Sequence, residues 1–381
     1  MSVFTARSSR KRRPSRLRSA ALSMVTMALV GAVAGLLERN PDRPDGEAGP
    51  PRGQPKRSHG SLLEAAEPGR GRWAKSPEDI PARGWKDILW RTYEQINDDR
   101  VLATAAGVTY YALLALFPAI AAFVAIYGLF ADPQTIQQHF DEAKSIMPYG
   151  AADVIGEQLK SATSKDPSTL GFTTAIGILV SLWSANSGMK AIFDALNVAY
   201  NEKEKRSFFW LNAQSLLFTL GGFVFLALTL AAIVAVPIIL HVLPLGPLAG
   251  WAVTIAPWVV MLGLIVFALA VLYRYGPSRT EPQWRWVTPG SLLASVVWLI
   301  ASAGLSFYAS HFANYDKTYG SLGAVIGFMI WMWVSAIIIL VGAEMNSEIE
   351  HQTVRDSTEK EGAPIGTRGA TMADTVGKAK T

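Results

Sequence analysis

The chain has 381 residues, half of them hydrophobic, a formal charge of +5 and no cysteine. Without cysteine, disulfides, thiolate chemistry and cysteine-based metal sites are excluded, and the redox compartment is unread. Residues 1–80 and 352–381 are polar and rich in Pro, Gly and charge, so the basic balance belongs to tails and loops around an uncharged interior; that suits membrane topology and anionic lipid, not nucleic acid.

At the start, a basic run (Arg7, Arg10, Lys11, Arg12, Arg13, Arg16, Arg18) precedes the apolar segment Ala20–Leu37, with Ala32-Val33-Ala34 before Gly35. The pattern fits a signal peptide, a seventh span, or an upstream start that is not the natural one. We read it as a weakly membrane-associated segment. A cleaved or spanning segment would invert the core against its loop charges, and the linker Asn40–Pro81 is itself basic. Residues 1–80 and 352–381 are expected to be disordered.

Charge-free windows then follow in order. Val101–Ala131 contains Pro118 as an expected kink, Pro167–Met189 is next, and Ser207–Tyr273 is long enough for two spans divided by His241–Pro247. Trp286–Tyr315 and Thr318–Ala343 complete the set. A spanning helix needs about 20 apolar residues. Six spans are therefore expected, over residues 104–130, 168–189, 209–240, 250–273, 289–312 and 320–343, within a membrane domain of residues 81–351. The fold class is all-α, a polytopic six-helix membrane bundle.

The loops orient it. Asp132–Asp166 is acidic on balance, begins with Asp132-Pro133 as a helix start, and is expected to form one or two surface helices outside. Lys190–Arg206 and Arg274–Arg285 are basic and belong inside, as does the cluster Arg83, Lys86, Arg91 and Arg100. Both ends of the core then face the cytoplasm.

No span has an ionisable group at its centre, which argues against a proton- or ion-coupled pump but not against neutral or lipid substrates. Lys190 and Asp194, four residues apart, share a helix face and can pair. Asn186 and Asn197 extend that polar face, either as the lining of a cavity mouth or as a helix leaving the membrane with its polar groups satisfied. Glu344, Asn346 and Glu348 sit where the last span emerges, and Glu344 needs a partner, with an arginine of the Arg274–Arg285 loop as the candidate. Gly320, Gly323 and Gly327 give small-residue spacing for close helix approach, and Gly107 and Pro118 are read as packing positions of the first span. Trp331 and Trp333 are expected to pack or face lipid. The five histidines are scattered without metal-ligand spacing, and no nucleophile–base pattern is found.

Taken in order, Ala105–Pro118, Trp183–Tyr200, Tyr273-Arg274-Tyr275-Gly276-Pro277, Tyr319–Gly323 and Gly342-Ala343-Glu344-Met345-Asn346 resemble the YihY/BrkB family of bacterial inner-membrane proteins, over about Gly84 to His351. The resemblance implies six helices in the inner membrane, both ends cytoplasmic, and a role in the cell envelope. Members have also carried a ribonuclease label, but this sequence has no His and Asp cluster to hold a metal and activate water. The expected function is a transporter- or flippase-like protein for a lipid or other amphiphile, the alternative a non-transporting scaffold. No enzyme activity or cofactor is expected. The expected partners are membrane lipids, with anionic headgroups at the basic loops, and a second copy in a homo-oligomer; nucleic acid is not expected.

Overall fold

In the computed structural model the described residues are 67, 69–127, 132–144, 147, 151–163, 172–242, 249–311, 323–359 and 362–380. The Ala20–Leu37 segment and Gly320 lie outside them. Helix α1 spans Ala82–Asp98, α2 Val101–Tyr127, α3 Pro133–Lys144, α4 Ala151–Thr163 and α5 Phe172–Ala199. Helices α6 (Phe208–Val242), α7 (Ala249–Tyr275), α8 (Trp284–His311) and α9 (Gly323–Glu350) follow. By length and composition α2, α6, α7, α8 and α9 can each cross a membrane, and α5 is the sixth long helix.

The two surface helices expected between the first and second spans are α3 and α4. Asp132 starts α3 by accepting a hydrogen bond from the Thr135 N–H at 2.8 Å, with Pro133 at the first helical position. Ile136, Phe140 and Leu159 pack with Val124 of α2.

The long helices close a ring in which α2 packs on α5, α5 on α6, α6 on α7, α7 on α8, α8 on α9, and α9 back on α2. Apolar side chains gain little by leaving lipid for one another, so close packing and hydrogen bonds must hold such helices together. Tyr273 of α7 donates to the Ile339 carbonyl at 2.8 Å, and Trp298 of α8 donates to Ser335 Oγ at 2.8 Å. Trp331, expected only to pack or face lipid, donates to Ser302 Oγ at 3.1 Å. Thr109, Ser215, Thr219, Ser291 and Ser295 bond carbonyls one turn back, which satisfies their hydroxyls inside their own helices.

Burial changes along the ring. We call the end where α1, residues 200–207, residues 276–283 and the last turns of α9 meet the charged end. There Leu196, Tyr200, Tyr273, Val287, Ala294, Leu340 and Ala343 form one buried core. On the face of α6 that buries Ser215, Gly222 and Leu226 lie seven and eleven residues further on. Gly222 has open space where a Cβ would stand, and Leu226 is 43% exposed. On α7, the face that buries Ala270 carries Gly263 and Val259 at the same spacings, the first open and the second 61% exposed. Seven and eleven residues are close to two and three helical turns, so each set shares one face. Over the described side chains, the α6–α7 side therefore changes from buried near the charged end to exposed about two to three turns away.

Two sequence expectations are corrected. The ordered chain begins before residue 81: Arg70 bonds Asp87 at 2.7 Å, Arg72 is buried, and Ala74 and Ile80 join Ile88, Trp286, Met345 and Ile349 in a second core. The C-terminal segment, expected to be disordered, folds over the charged end. Thr371 N–H donates to Glu202 at 2.6 Å, Gly377 N–H to the His351 carbonyl at 2.8 Å, and Lys380 N–H to Asp87 at 3.0 Å. Its polar composition could not build a core alone, yet it supplies donors to carboxylates already placed by the helices.

Candidate functional site

The charged end is organised by the last two turns of α9. Glu344, Asn346, Glu348 and Glu350 alternate along the chain and are all buried. Side chains two residues apart point to different sides of a helix, so each meets a different neighbour.

Glu348 accepts from Arg91 Nε of α1 at 2.5 Å, and Arg91 also donates to Gln352 Oε1 at 2.8 Å. Glu350 takes both guanidinium amino groups of Arg279, at 2.8 and 2.9 Å, and a third bond from Ser357 Oγ at 3.0 Å. Arg279 lies over the Tyr200 ring at 4.1 Å. Although burial works against its charge, Glu350 raises the pKa of the guanidinium. Burial pushes the Tyr200 hydroxyl up. These are closed structural pairs whose charges are satisfied within the fold.

Asn346 repairs α8. Pro289 lies inside that helix and has no N–H to donate. Asn346 Oδ1 accepts from the Gly290 N–H at 2.7 Å, and its Nδ2 donates to the Val287 carbonyl at 3.0 Å. We expect Asn346→Leu to destabilise the protein by about 1–3 kcal/mol in detergent, because the buried Gly290 N–H loses its partner, while the Val287 carbonyl keeps its bond from Ser291 Oγ. Thermal unfolding followed by intrinsic fluorescence checks this, with the exposed helical Asn97→Leu as a control.

The polar face of α5 divides. Asn186 is buried with no hydrogen bond to its Oδ1. Lys190 bonds Asn212 of α6 and lies 5.2 Å from the Trp183 ring centre, so the expected Lys190–Asp194 pair does not form and Asp194 stays exposed. Asn197 accepts from the Ser278 N–H at 2.7 Å and donates to Glu204 at 3.1 Å. Burial opposes the Glu204 charge, but Arg206 and then Asn197 bring its pKa down to about 2. Asn197 thus ties α5 to the two loops beside it. Lys190 and Asn197 are both held against neighbouring elements.

Glu344 does not receive an arginine. It is fully buried, neither oxygen accepts a hydrogen bond from an N–H or hydroxyl, and its carboxyl faces that of Asp99 at the end of α1. Of the packing positions, Gly323 and Gly327 are buried and Pro118 is half-buried inside a continuous α2. Gly107 is corrected: it is exposed on α2, and a Cβ added there would meet nothing within 4 Å, because that face looks away from the bundle. The closest glycine contact instead joins α8 to α9. A Cβ on Gly290 would strike the Gly342 carbonyl, and one on Gly342 would lie 2.8 Å from Ala294 Cβ.

Sequence reasoning missed Arg91 and Arg279 as partners of Glu348 and Glu350. Both arginines stood in basic clusters expected on the inner side, and nothing in their spacing distinguished them from exposed neighbours. It also missed Gly290 and Gly342, which belong to no small-residue repeat.

A ring of long apolar helices closed at one end by buried ion pairs defines an integral membrane helical bundle. The chain belongs to the Virulence factor BrkB family, which matches residues 92–365. It is 30% identical over 64% of its length to the ribonuclease-like protein YfkH of Bacillus subtilis, covering 88% of that protein. It is 25% identical to a UPF0761 membrane protein of Pseudoalteromonas translucida, over 73% of this chain and 90% of the relative. A UPF0761 membrane protein of Methylibium petroleiphilum is 27% identical, over 72% of this chain and 65% of the relative. No solved structure matches the chain.

Proposed function

We propose that the protein is a transporter- or flippase-like handler of a lipid or other amphiphile in the bacterial inner membrane, with the charged end at the cytoplasm. The single observation that carries the reading is the change along α6 and α7 from buried Ser215 and Ala270 to exposed Leu226 and Val259 on the same faces. A helix in a ring has two flanks against neighbours, one face outward and one inward. Leu217, 68% exposed, and Leu226, 43% exposed, are nine residues and hence opposite faces apart, so α6 is open on both. The inner opening is apolar and uncharged, which suits an acyl chain better than an ion. The exposed Arg83, Lys86, Lys203 and Arg285 of the charged end suit anionic headgroups there.

A second reading, the non-transporting scaffold, draws support from Lys190 and Asn197, whose polar groups are taken up by neighbouring elements. A ribonuclease reading has the least support: among the described residues no three acidic or histidine side chains group to hold a metal.

The test is reconstitution into liposomes of envelope phospholipids bearing a fluorescent headgroup label. Translocation that depends on the protein and is blocked by Leu226→Trp supports the transport reading. No translocation of any headgroup class, from correctly folded protein, returns the scaffold.

A further inference from the structure

We propose that Asp99 and Glu344 form a site that binds one proton, shared between the two carboxyl groups, at the corner between α1 and α2. Helix register brings them together. Glu348 and Glu344 are one turn apart on α9, while Arg91, Gln95 and Asp99 follow one another by single turns on α1, and the two helices pack together. Arg91 of α1 holds Glu348, and Asp99, just past the end of α1, meets Glu344 one turn back on α9. Both Glu344 oxygens are buried without a hydrogen-bond donor, and the neighbour their carboxyl meets is the Asp99 carboxyl. Carboxylates only accept hydrogen bonds, so that contact is attractive when one of them carries a proton and repulsive when neither does.

Among the described residues no cation is placed on the pair, and the adjacent Arg100 is exposed. From α1, Arg91 is held by Glu348 and Gln352, and Asp98 adds negative charge. The end of α5 contributes Tyr200, and α9 itself contributes Glu348. α7 brings Tyr273 and Arg274, the latter bonded to Glu359 and the Pro282 carbonyl. The nearby stretches Val101–Val108 of α2 and Val287–Ser295 of α8 contain no ionisable residue. Gln95 Nε2 donates to Asp99 at 3.3 Å, which supports one carboxylate and not two. Burial pushes the Asp99 carboxyl up, and Asp98 and Glu348 add to this. Asp99 is half-buried and Glu344 fully buried, so the proton has an aqueous entry on the Asp99 side. Arg100, next in the chain, sits at φ 49°, a left-handed corner that a change in the pair would pull on directly.

The folded pair holds a proton that free carboxylates release, so its stabilisation is present below the ordinary carboxylate range. It is lost as pH rises through the folded value, with up to about a tenfold fall in the folding constant per pH unit in that window. The experiment uses full-length protein in lipid nanodiscs, with infrared difference spectra taken across a pH titration and stability measured in parallel. The expected result is a protonated-carboxyl C=O band that disappears on alkalinisation and is missing in both Glu344→Gln and Asp99→Asn. Glu344→Gln, whose amide donates without a titrating proton, should also flatten the pH dependence while keeping the fold. A band unchanged in both variants, or stability that follows sodium concentration at constant pH, overturns the proposal, the latter in favour of a bound cation.

Discussion

Replacing Arg279 by methionine is expected to destabilise the protein by about 3–5 kcal/mol, the cost of leaving one charge of a buried pair without its partner. Glu350 has a side-chain exposure of 0% and would keep only the Ser357 bond. Methionine retains much of the volume over the Tyr200 ring, so the loss reports charge and hydrogen bonding more than a cavity. Removing both charges in Arg279→Met with Glu350→Leu should recover most of the stability, because well-packed apolar replacements of buried pairs are often neutral. Equilibrium unfolding in mixed micelles checks the series. A single variant within about 1 kcal/mol of the parent, the range of an exposed pair, would mean that water reaches Arg279.

The other large effect is expected at Gly290. An added side chain there meets the Gly342 carbonyl and lies 2.5 Å from both Cγ and Oδ1 of Asn346, so α8 must move away from α9. Overpacking of a fitted contact costs about 1–3 kcal/mol. Displacing Asn346 adds about 1–3 kcal/mol for the Gly290 N–H that it leaves unpaired. Gly290→Val should therefore lower folded yield and abolish the monodisperse peak in size-exclusion chromatography. Gly107→Val, on an open face of α2, should leave monomer stability unchanged. Equal damage from both substitutions would show that the α8–α9 contact is not special, and would restore Gly107 to a packing role.

The helices were legible because lipid imposes a simple rule: charge-free windows of sufficient length mark the long helices. The α3 start was legible too, since Asp132-Pro133 acts through local chemistry. Glu344, Asn346 and Glu348 stood out at the end of a span, but their partners did not. Arg91 lies 257 positions from Glu348, and only the antiparallel packing of α1 on α9 brings them together. Lys190 and Asp194 show the opposite failure. Helical spacing permits their pair, yet Asn212 and Trp183 occupy the ammonium. The C-terminal segment misled because composition measures the ability to form a core, whereas this segment orders by donating to Glu202 and Asp87. Small-residue spacing drew attention to Gly323 and Gly327, while the tightest approach uses the isolated Gly290 and Gly342, which only the helix crossing reveals. Asn346 could be seen as polar and misplaced in sequence. Its role needed the neighbouring break at Pro289.

The central claim is that the inner face of α6 opens onto a space that holds an amphiphile. It is tested most directly by placing a photoreactive residue at Leu226, with Leu217 on the opposite face as the reference, and identifying adducts by mass spectrometry after illumination in native membranes. Lipid adducts are expected at both positions. Lipid at Leu217 with only protein cross-links at Leu226 would contradict the claim, because the ring would then be closed on itself.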